Sequence, residues 1–442
     1  MRIGFISLPL TGHVNPMVAL ARRLKSRGHK IIFIGIPDIR PYAEAAGLEF
    51  VSIANNEVPI GATAAVTGPN AKLYGPEPAR RLVEGAVNTL FQVTTQYLPH
   101  VIAETGVEAM VMDIIHLYLE LVPMSLGIPY AHVWPILNID LTGTTPTTML
   151  PGRYEDSAEA RVRYAKDVKE SNNSYFGYTQ GLAEEYAERV GLKLDWSNPT
   201  ATVSRNAAAI VSQTPKEFDL PGIPWPPQFH YAGPFYDDAG REPVAFPWEK
   251  LDGRPLIYAS LGTLVNGFDF IYKTILSAVG LIPEIQVVLS KGNNIELAEL
   301  GSIPPNVIVV DKAPQIELLN RSTLCITHAG LNTALESLGH GVPMVAIPIG
   351  FDQFGVALRI GYHGVGESVD VDDLTVDRLH GLIQKVLQTP AYREKAQYFK
   401  EVIAKGRGLD VAAEAIESAF ERAIKDRPSG SSTELAGELS RA

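Results

Sequence analysis

A single cysteine, Cys325, stands among the 442 residues. One thiol excludes a disulfide framework and a cysteine-based metal site, and its apolar neighbours assign it to core packing. No stretch approaches the ~18 consecutive apolar residues of a membrane helix, so no membrane span is expected. No secretion signal is expected either: Arg2 precedes the apolar segment Ile3 to Leu10, but no small-residue cleavage site follows, so the segment reads as a first strand. The expectation is a soluble, cytoplasmic protein, in which the glycosylation sequons at Asn172 and Asn320 carry no meaning. Positive charge is in deficit, with 38 Lys and Arg against 49 Asp and Glu for a net −11, which opposes nucleic acid and anionic lipid. A phosphate-bearing ligand must then be captured by local donors. No G-x-G-x-x-G turn follows a strand, which argues against a dinucleotide-dependent oxidoreductase. No short-period repeat is present.

What is present is alternation. Residues 2–8 and 30–36 read as buried strands flanking a helix, and Glu108–Met112 and Pro129–Val133 repeat the pattern around a helix near 116–126. After a proline-rich stretch, strands are expected near 256–261, 285–289, 306–310, 324–327 and 343–348, with helices between them. Helical patterns then follow near 374–388, 390–405 and 409–425. Alternating strand and helix predicts an α/β fold with two doubly wound parallel-sheet domains facing across a cleft. The first domain covers 1–217 with a charged helical insertion at 151–195, the linker 218–250, the second domain 251–408, a C-terminal helix 409–425 that could pack back on the first domain, and a disordered tail 426–442.

The segment Ile326 to Gln353 carries the most chemistry. A strand, the turn His328-Ala329-Gly330, and a helix with Leu331, Ala334, Leu335 and Leu338 on one face leave Asn332, Thr333 and Glu336 on the other. Helix starts hold unpaired N–H groups and a positive dipole end, so a phosphate beside Gly330 would be held there, with His328, Asn332 and Thr333 adding side-chain donors. Glu336 lies one turn deeper, where it can accept from ribose hydroxyls. Near the N-terminus, His13 is expected in the loop after the first strand, with Asn15 capping the next helix and Pro16 in its first turn. Asp113 ends a strand at the same sheet edge, where it can orient a histidine ring or cap the segment starting at Ile114. Asp370-Val371-Asp372 fits a metal-binding D-x-D pattern, but in the acidic stretch DVDDLTVD it reads better as a capped helix start, and no metal is expected.

Ala313-Pro314-Gln315, the THAG turn, Asn332, Glu336, Gly341-Val342-Pro343 and Asp352-Gln353 together resemble the donor-binding signature of the family 1 glycosyltransferases. Gly12-His13-Val14-Asn15-Pro16 likewise matches the family's G-H-x-N-P loop. FIGIPDIRPYAEAAGLEFVSI points to a bacterial member near the carotenoid (zeaxanthin) and other small-molecule glucosyltransferases. The resemblance implies a GT-B fold, with an acceptor-binding first domain and a nucleotide-sugar-binding second domain. It further implies inverting, metal-independent transfer of a hexose, glucose favoured, from a UDP-sugar to a small-molecule hydroxyl, with His13 as general base and Asp113 as its partner. The nucleotide sugar is a co-substrate and no cofactor is implied. Gln315 would contact the nucleoside, Gly262 and Thr263 the phosphates, and Asp352 and Gln353 the sugar hydroxyls. Lys312 departs from the family pattern, in which a tryptophan stacks on the base, so UDP and dTDP both stay open. The loops of the first half, with Ile60, Tyr74, Phe91, Trp134, Leu137 and Met149, are the candidate acceptor pocket, and the Thr-rich run LTGTTPTTML suits an apolar or aromatic alcohol. A nucleotide-sugar epimerase of the same fold and a non-catalytic nucleotide-sugar-binding protein are the alternatives, and His13 with Asp113 counts against both. Monomer and dimer stay open.

Overall fold

The computed structural model describes residues 1–116, 118–194, 206–237 and 243–426. The expected tail from 427 onward, linker residues 238–242 and the last residue of the expected insertion lie outside them. One sheet comprises β1 (Arg2–Ile6), β2 (Lys30–Gly35), β3 (Glu49–Ser52), β4 (Ala109–Asp113), β5 (Tyr130–Trp134), β6 (Ala209–Ser212) and β7 (Phe229–Tyr231). A second comprises β8 (Leu256–Ser260), β9 (Gln286–Ser290), β10 (Val307–Val310), β11 (Ser322–Thr327), β12 (Met344–Ala346) and β13 (Gly366–Ser368). All pairings are parallel. Central strands such as β4 and β8 are buried at every residue, the pattern of sheets covered on both faces by crossover helices.

Strand order decides where ligands can bind. The first sheet runs β3-β2-β1-β4-β5-β6-β7 and the second β10-β9-β8-β11-β12-β13, so each reverses direction once, between β1 and β4 and between β8 and β11. The loops at such a reversal diverge to opposite faces and leave a crevice at the carboxyl ends of the strands. His13 follows β1, Asp113 ends β4, Gly262 follows β8 and His328 follows β11. The register that pairs Ile6 with Met112 and Ser260 with Thr327 brings each pair of turns side by side.

Several local expectations are corrected. The first strand ends at Ile6, and the helix after it spans Thr11–Ser26, so His13 lies in its first turn and not in a loop. The helix starts early because the Leu10 carbonyl accepts both His13 N and Val14 N at 2.8 Å, with no side-chain cap. Asn15 is therefore inside the helix and exposed, and it caps nothing. Near 116–126 only Leu121–Ser125 is helical, preceded by a turn that holds Tyr118 at φ 62°. Around Asp370 the chain makes a short turn, Val371–Asp373, and the cap of the next helix is Thr375, whose hydroxyl accepts Arg378 N at 3.2 Å.

The C-terminal helix Gly408–Lys425 lies against the first sheet. Its Ala412, Ala413, Ile416 and Phe420 share one buried cluster with Ile3, Val14, Met17 and Leu20. Full burial of side chains the size of Ile416 and Phe420 contributes about 1.5–3 kcal/mol each. At its edge Arg27 pairs with Glu417 at 2.7 Å, His29 reaches Glu417 at 2.9 Å, and Arg23 pairs with Asp410. The long helix Ala158–Arg189, capped by Ser157, covers the other face, where Thr179 Oγ1 donates to Asn88 Oδ1 at 2.6 Å.

Candidate active site

His13 and Asp113 come together at the β1/β4 reversal. His13 Nδ1 lies 2.9 Å from Asp113 Oδ2, with the histidine 9% exposed and the aspartate fully buried. The carboxylate also accepts Leu8 N and Ser7 Oγ at 3.3 Å on Oδ2 and Ile115 N at 3.1 Å on Oδ1. Burial alone would raise the Asp113 carboxyl, but the charge and hydrogen bond of His13 outweigh it, and the group is held below the usual carboxylate range. An ionised carboxylate on Nδ1 fixes the tautomer that leaves Nε2 to take a proton. His116, two residues after the Ile114 turn, is buried, and its imidazole is pushed down chiefly by that burial, against the charge of Asp113.

On the other side of the cleft the Leu331–Gly339 helix starts at Gly330 without a side-chain cap, so its first N–H groups are available to an anion. Ala329, which leads into it, adopts φ 64°, held by its N–H on Thr327 Oγ1 at 3.1 Å. His328 packs between two glycines. A Cβ on Gly262 or on Gly330 would stand 2.5 Å from His328 Nε2, so only glycine leaves the ring its place. Burial pushes the imidazole down to about 4, so the ring is neutral beside the helix start and can donate one ring N–H. Gly262 is also left-handed at φ 74°. Gly262→Ala combines that strain, roughly 1–2 kcal/mol, with displacement of His328. We expect it to weaken nucleoside-diphosphate binding roughly tenfold, about 1.4 kcal/mol, by isothermal titration with UDP. Unchanged affinity in a folded variant would remove His328 from the phosphate site. Thr263, beside it, is exposed, and its carbonyl accepts Asn294 Nδ2 at 3.5 Å.

Deeper in the second domain, Gln315 Nε2 donates to Glu336 Oε2 and lies 3.4 Å from Thr333 Oγ1, while Tyr258 OH donates to Gln315 Oε1 at 3.0 Å. Three residues expected to hold the nucleotide thus form one polar cluster, and Tyr258, which sequence reasoning missed, orients it. Asp352 is buried, and its Oδ2 accepts Leu137 N at 2.9 Å from the first domain. Burial raises its carboxyl, opposed by the Leu137 N–H and by the charge of His13. Gln353 Oε1 accepts Ile349 N at 2.8 Å and Gly350 N at 3.1 Å, which holds the turn around Phe351, itself at φ 56°.

Two expectations differ here. Asn332, expected to aim at the diphosphate, spends its amide across the cleft: Nδ2 donates to Gly12 O at 3.0 Å and Oδ1 accepts Gln213 Nε2 at 2.8 Å. The six acceptor-pocket candidates do not converge. Phe91 and Trp134 are core residues of the first domain, Phe91 edge-on to Tyr186, and Leu137 is fully buried among side chains of the second domain. Tyr74 donates to Asp372 at 3.2 Å, next to Gly75, whose N–H pairs with Ile349 O at 2.7 Å, so its loop is a contact between domains. Ile60 is 73% exposed and Met149 is half-buried. Apolar side chains near a cleft mostly serve packing, and spacing alone does not separate the two uses.

Comparison with known proteins covers both halves. Residues 11–122 match the model of the glycosyltransferase family 28 N-terminal domain, and residues 273–418 match that of the erythromycin biosynthesis protein CIII-like C-terminal domain. The zeaxanthin glucosyltransferase of Pantoea ananas is 28% identical over 416 residues, 93% of this chain and 94% of that protein. The demethyllactenocin mycarosyltransferase of Streptomyces fradiae is 26% identical over 420 residues, 94% and 86% of the two chains. Among solved structures, the kitacinnamycin glycotransferase superposes with a TM-score of 0.72 at 22% identity, over 95% of this chain and 98% of that one. The glycosyltransferase VinC, in complex with dTDP, superposes at 0.68 and 19% identity, over 96% and 100%.

Proposed function

Since this chain belongs to the bacterial family 1 glycosyltransferases, GT-B enzymes acting on small-molecule natural products, we propose that it transfers a hexose, glucose first, from a UDP-sugar to a hydroxyl of an apolar or aromatic acceptor, with inversion. The observation that carries this reading is the His13–Asp113 pair at 2.9 Å, across the cleft from an uncapped helix start. Nε2 of His13 takes the acceptor hydroxyl proton as the acceptor oxygen bonds to the anomeric carbon. The bond from that carbon to the diphosphate oxygen breaks on the opposite face, and the nucleoside diphosphate leaves with the electron pair. Its charge is met by the helix N-terminus and by His328 and Thr333, and Gln315 and Glu336 hold the nucleoside. Asp352 and Gln353 lie where a carboxylate and an amide can sort sugar epimers. Lys312 provides no aromatic ring for the base, so dTDP-sugars form the second arm of the test.

Incubation with UDP-glucose and a panel of phenols, flavonoids and terpenoid alcohols, read by mass spectrometry, should yield an acceptor heavier by one hexose. Activity should survive a chelator such as EDTA, because protein donors meet the diphosphate charge. Strict dependence on a divalent cation would sink the metal-independent reading. Absence of product with both UDP- and dTDP-sugars across the panel would favour an epimerase or a binding protein.

A further inference from the structure

Pro16 has a consequence for the helix that carries the base. It has no N–H, so the Gly12 carbonyl, four residues earlier in the same helix, loses its intrahelical donor. The replacement comes from the other domain, as Asn332 Nδ2, at 3.0 Å. Asn332 Oδ1 accepts Gln213 Nε2 at 2.8 Å, and the same Nε2 donates to the Pro135 carbonyl. Gln213 is 3% exposed and follows β6, while Pro135 follows β5. One amide at the second position of the phosphate-side helix therefore engages the start of the helix after β1, the turn after β6 and, through Gln213, the turn after β5.

We infer that Asn332, Gln213 and the Gly12 carbonyl form a clasp that sets the closed register of the two domains and aims the adjacent His13. The inference rests on the proposed role of His13 as base. Asn332 and Gln213 are positioning residues here and touch no reacting atom. A diphosphate at the helix start would order the turn from Ala329 to Thr333, and Asn332 passes that order to the helix of His13, so donor occupancy and base placement are coupled. Gln213 lies in the first domain, so its contribution separates the clasp from any direct role of Asn332 toward phosphate.

The test compares Asn332→Ala, Gln213→Ala and the double variant with the intact enzyme. Misplacing a catalytic group by ~1 Å costs on the order of 10²-fold, so each single variant should lose roughly 10- to 100-fold in kcat, with the UDP dissociation constant raised by a smaller factor of roughly five or less, the reciprocal of the lost coupling. The double variant should be no worse than the worse single, as for two halves of one device. UDP-dependent compaction in small-angle scattering should disappear in Gln213→Ala. Full kcat in Gln213→Ala, or a loss in Asn332→Ala that lies mainly in UDP affinity, would overturn the inference and return Asn332 to the phosphate. If His13→Ala keeps full turnover, the base reading falls instead, and scattering still decides the clasp: compaction that persists in Gln213→Ala refutes it, and compaction that is lost supports it.

Discussion

Replacing His13 with Ala should lower kcat by ~10²–10⁴-fold and leave the UDP dissociation constant unchanged. The argument is one of separation. The proposed base stands at the β1/β4 reversal of the first sheet, whereas the groups proposed to hold the nucleotide belong to the second domain. Its loss thus removes proton transfer and spares donor binding, and it should appear in kcat and kcat/KM together. Asp113→Asn should cost a comparable factor. An amide NH2 in place of Oδ2 would donate to Nδ1 instead of accepting from it, which moves the ring proton to Nε2 and removes the charge that stabilises the imidazolium. That carboxylate also accepts Ser7 Oγ and Leu8 N, so some stability goes with it, and melting curves must accompany the kinetics. Titration with UDP beside initial rates on one acceptor measures both quantities. Full turnover in His13→Ala would refute the base assignment, and a parallel loss of UDP affinity would mean that the helix had moved.

Arg359→Met should destabilise the protein by about 3–5 kcal/mol, because it strands a buried carboxylate. Arg359 is 2% exposed, and its Nη2 lies 2.6 Å from Asp219 Oδ1. The aspartate is also held by Asn138 Nδ2 at 3.0 Å and Tyr231 OH at 2.8 Å. The arginine belongs to the helix Gln353–Tyr362 of the second domain, and the other three residues belong to the first domain or its exit, so the network joins the halves behind the cleft. Burial raises the Asp219 carboxyl, but the charge and hydrogen bonds of Arg359 with those of Asn138 and Tyr231 prevail, and it lies below its ordinary value. A depressed folded pKa contributes stability above the unfolded value of ~3.9 and loses it as pH falls through the folded one. Without Arg359 the same burial raises the variant's carboxyl instead, so the gap between wild type and Arg359→Met should be largest at pH 7 and already narrowed at about pH 4, as the variant's Asp219 takes up a proton that the wild type's does not. Adding Asp219→Leu to Arg359→Met should recover part of the loss, since no charge then remains unpaired. Denaturant melts at the two pH values decide it, and a variant within about 1 kcal/mol of wild type at pH 7 would show the pair to be dispensable.

Most strands were legible in the sequence because apolar β-branched runs such as IIFI and VIVV separate cleanly from helical spacing, whereas β3, β6, β7 and β13 are only three or four residues long and were not, and β7 lies within the expected linker 218–250. Proximity of His13 and Asp113 was legible for a topological reason: both sit at carboxyl ends of strands that the alternating pattern places in one sheet. The start of the first helix was not, since it opens at Thr11 with no capping side chain, while Asn15 and Pro16 imitate a later start. Nor was the clasp, because Gln213 and Asn332 lie 119 positions apart and meet only when the domains face each other. One half of it could have been inferred, as Pro16 announces an unpaired carbonyl at Gly12. The acceptor loops were the least legible, since a Leu or Phe there has the same sequence signature whether it packs or recognises. Backbone strain offers a sharper guide. Ala54, Tyr118, Ala329 and Phe351 are the positive-φ residues other than glycine among the described residues, and each follows the carboxyl end of a strand, where ligands of this fold bind.

The position of the C-terminal helix bears on how such an enzyme can be recombined. Gly408–Lys425 follows the second domain in the chain but completes the interior of the first, where Phe420 and Ile416 are fully buried beside Met17 and Leu20. A hybrid that joins residues 1–237 to the second half of a relative would therefore inherit a foreign side to its own core. Exchange of the second domain between relatives calls for two cuts, one in the proline-rich crossing and one near Arg407, so that the transplanted segment is an insert and both ends of the recipient stay native.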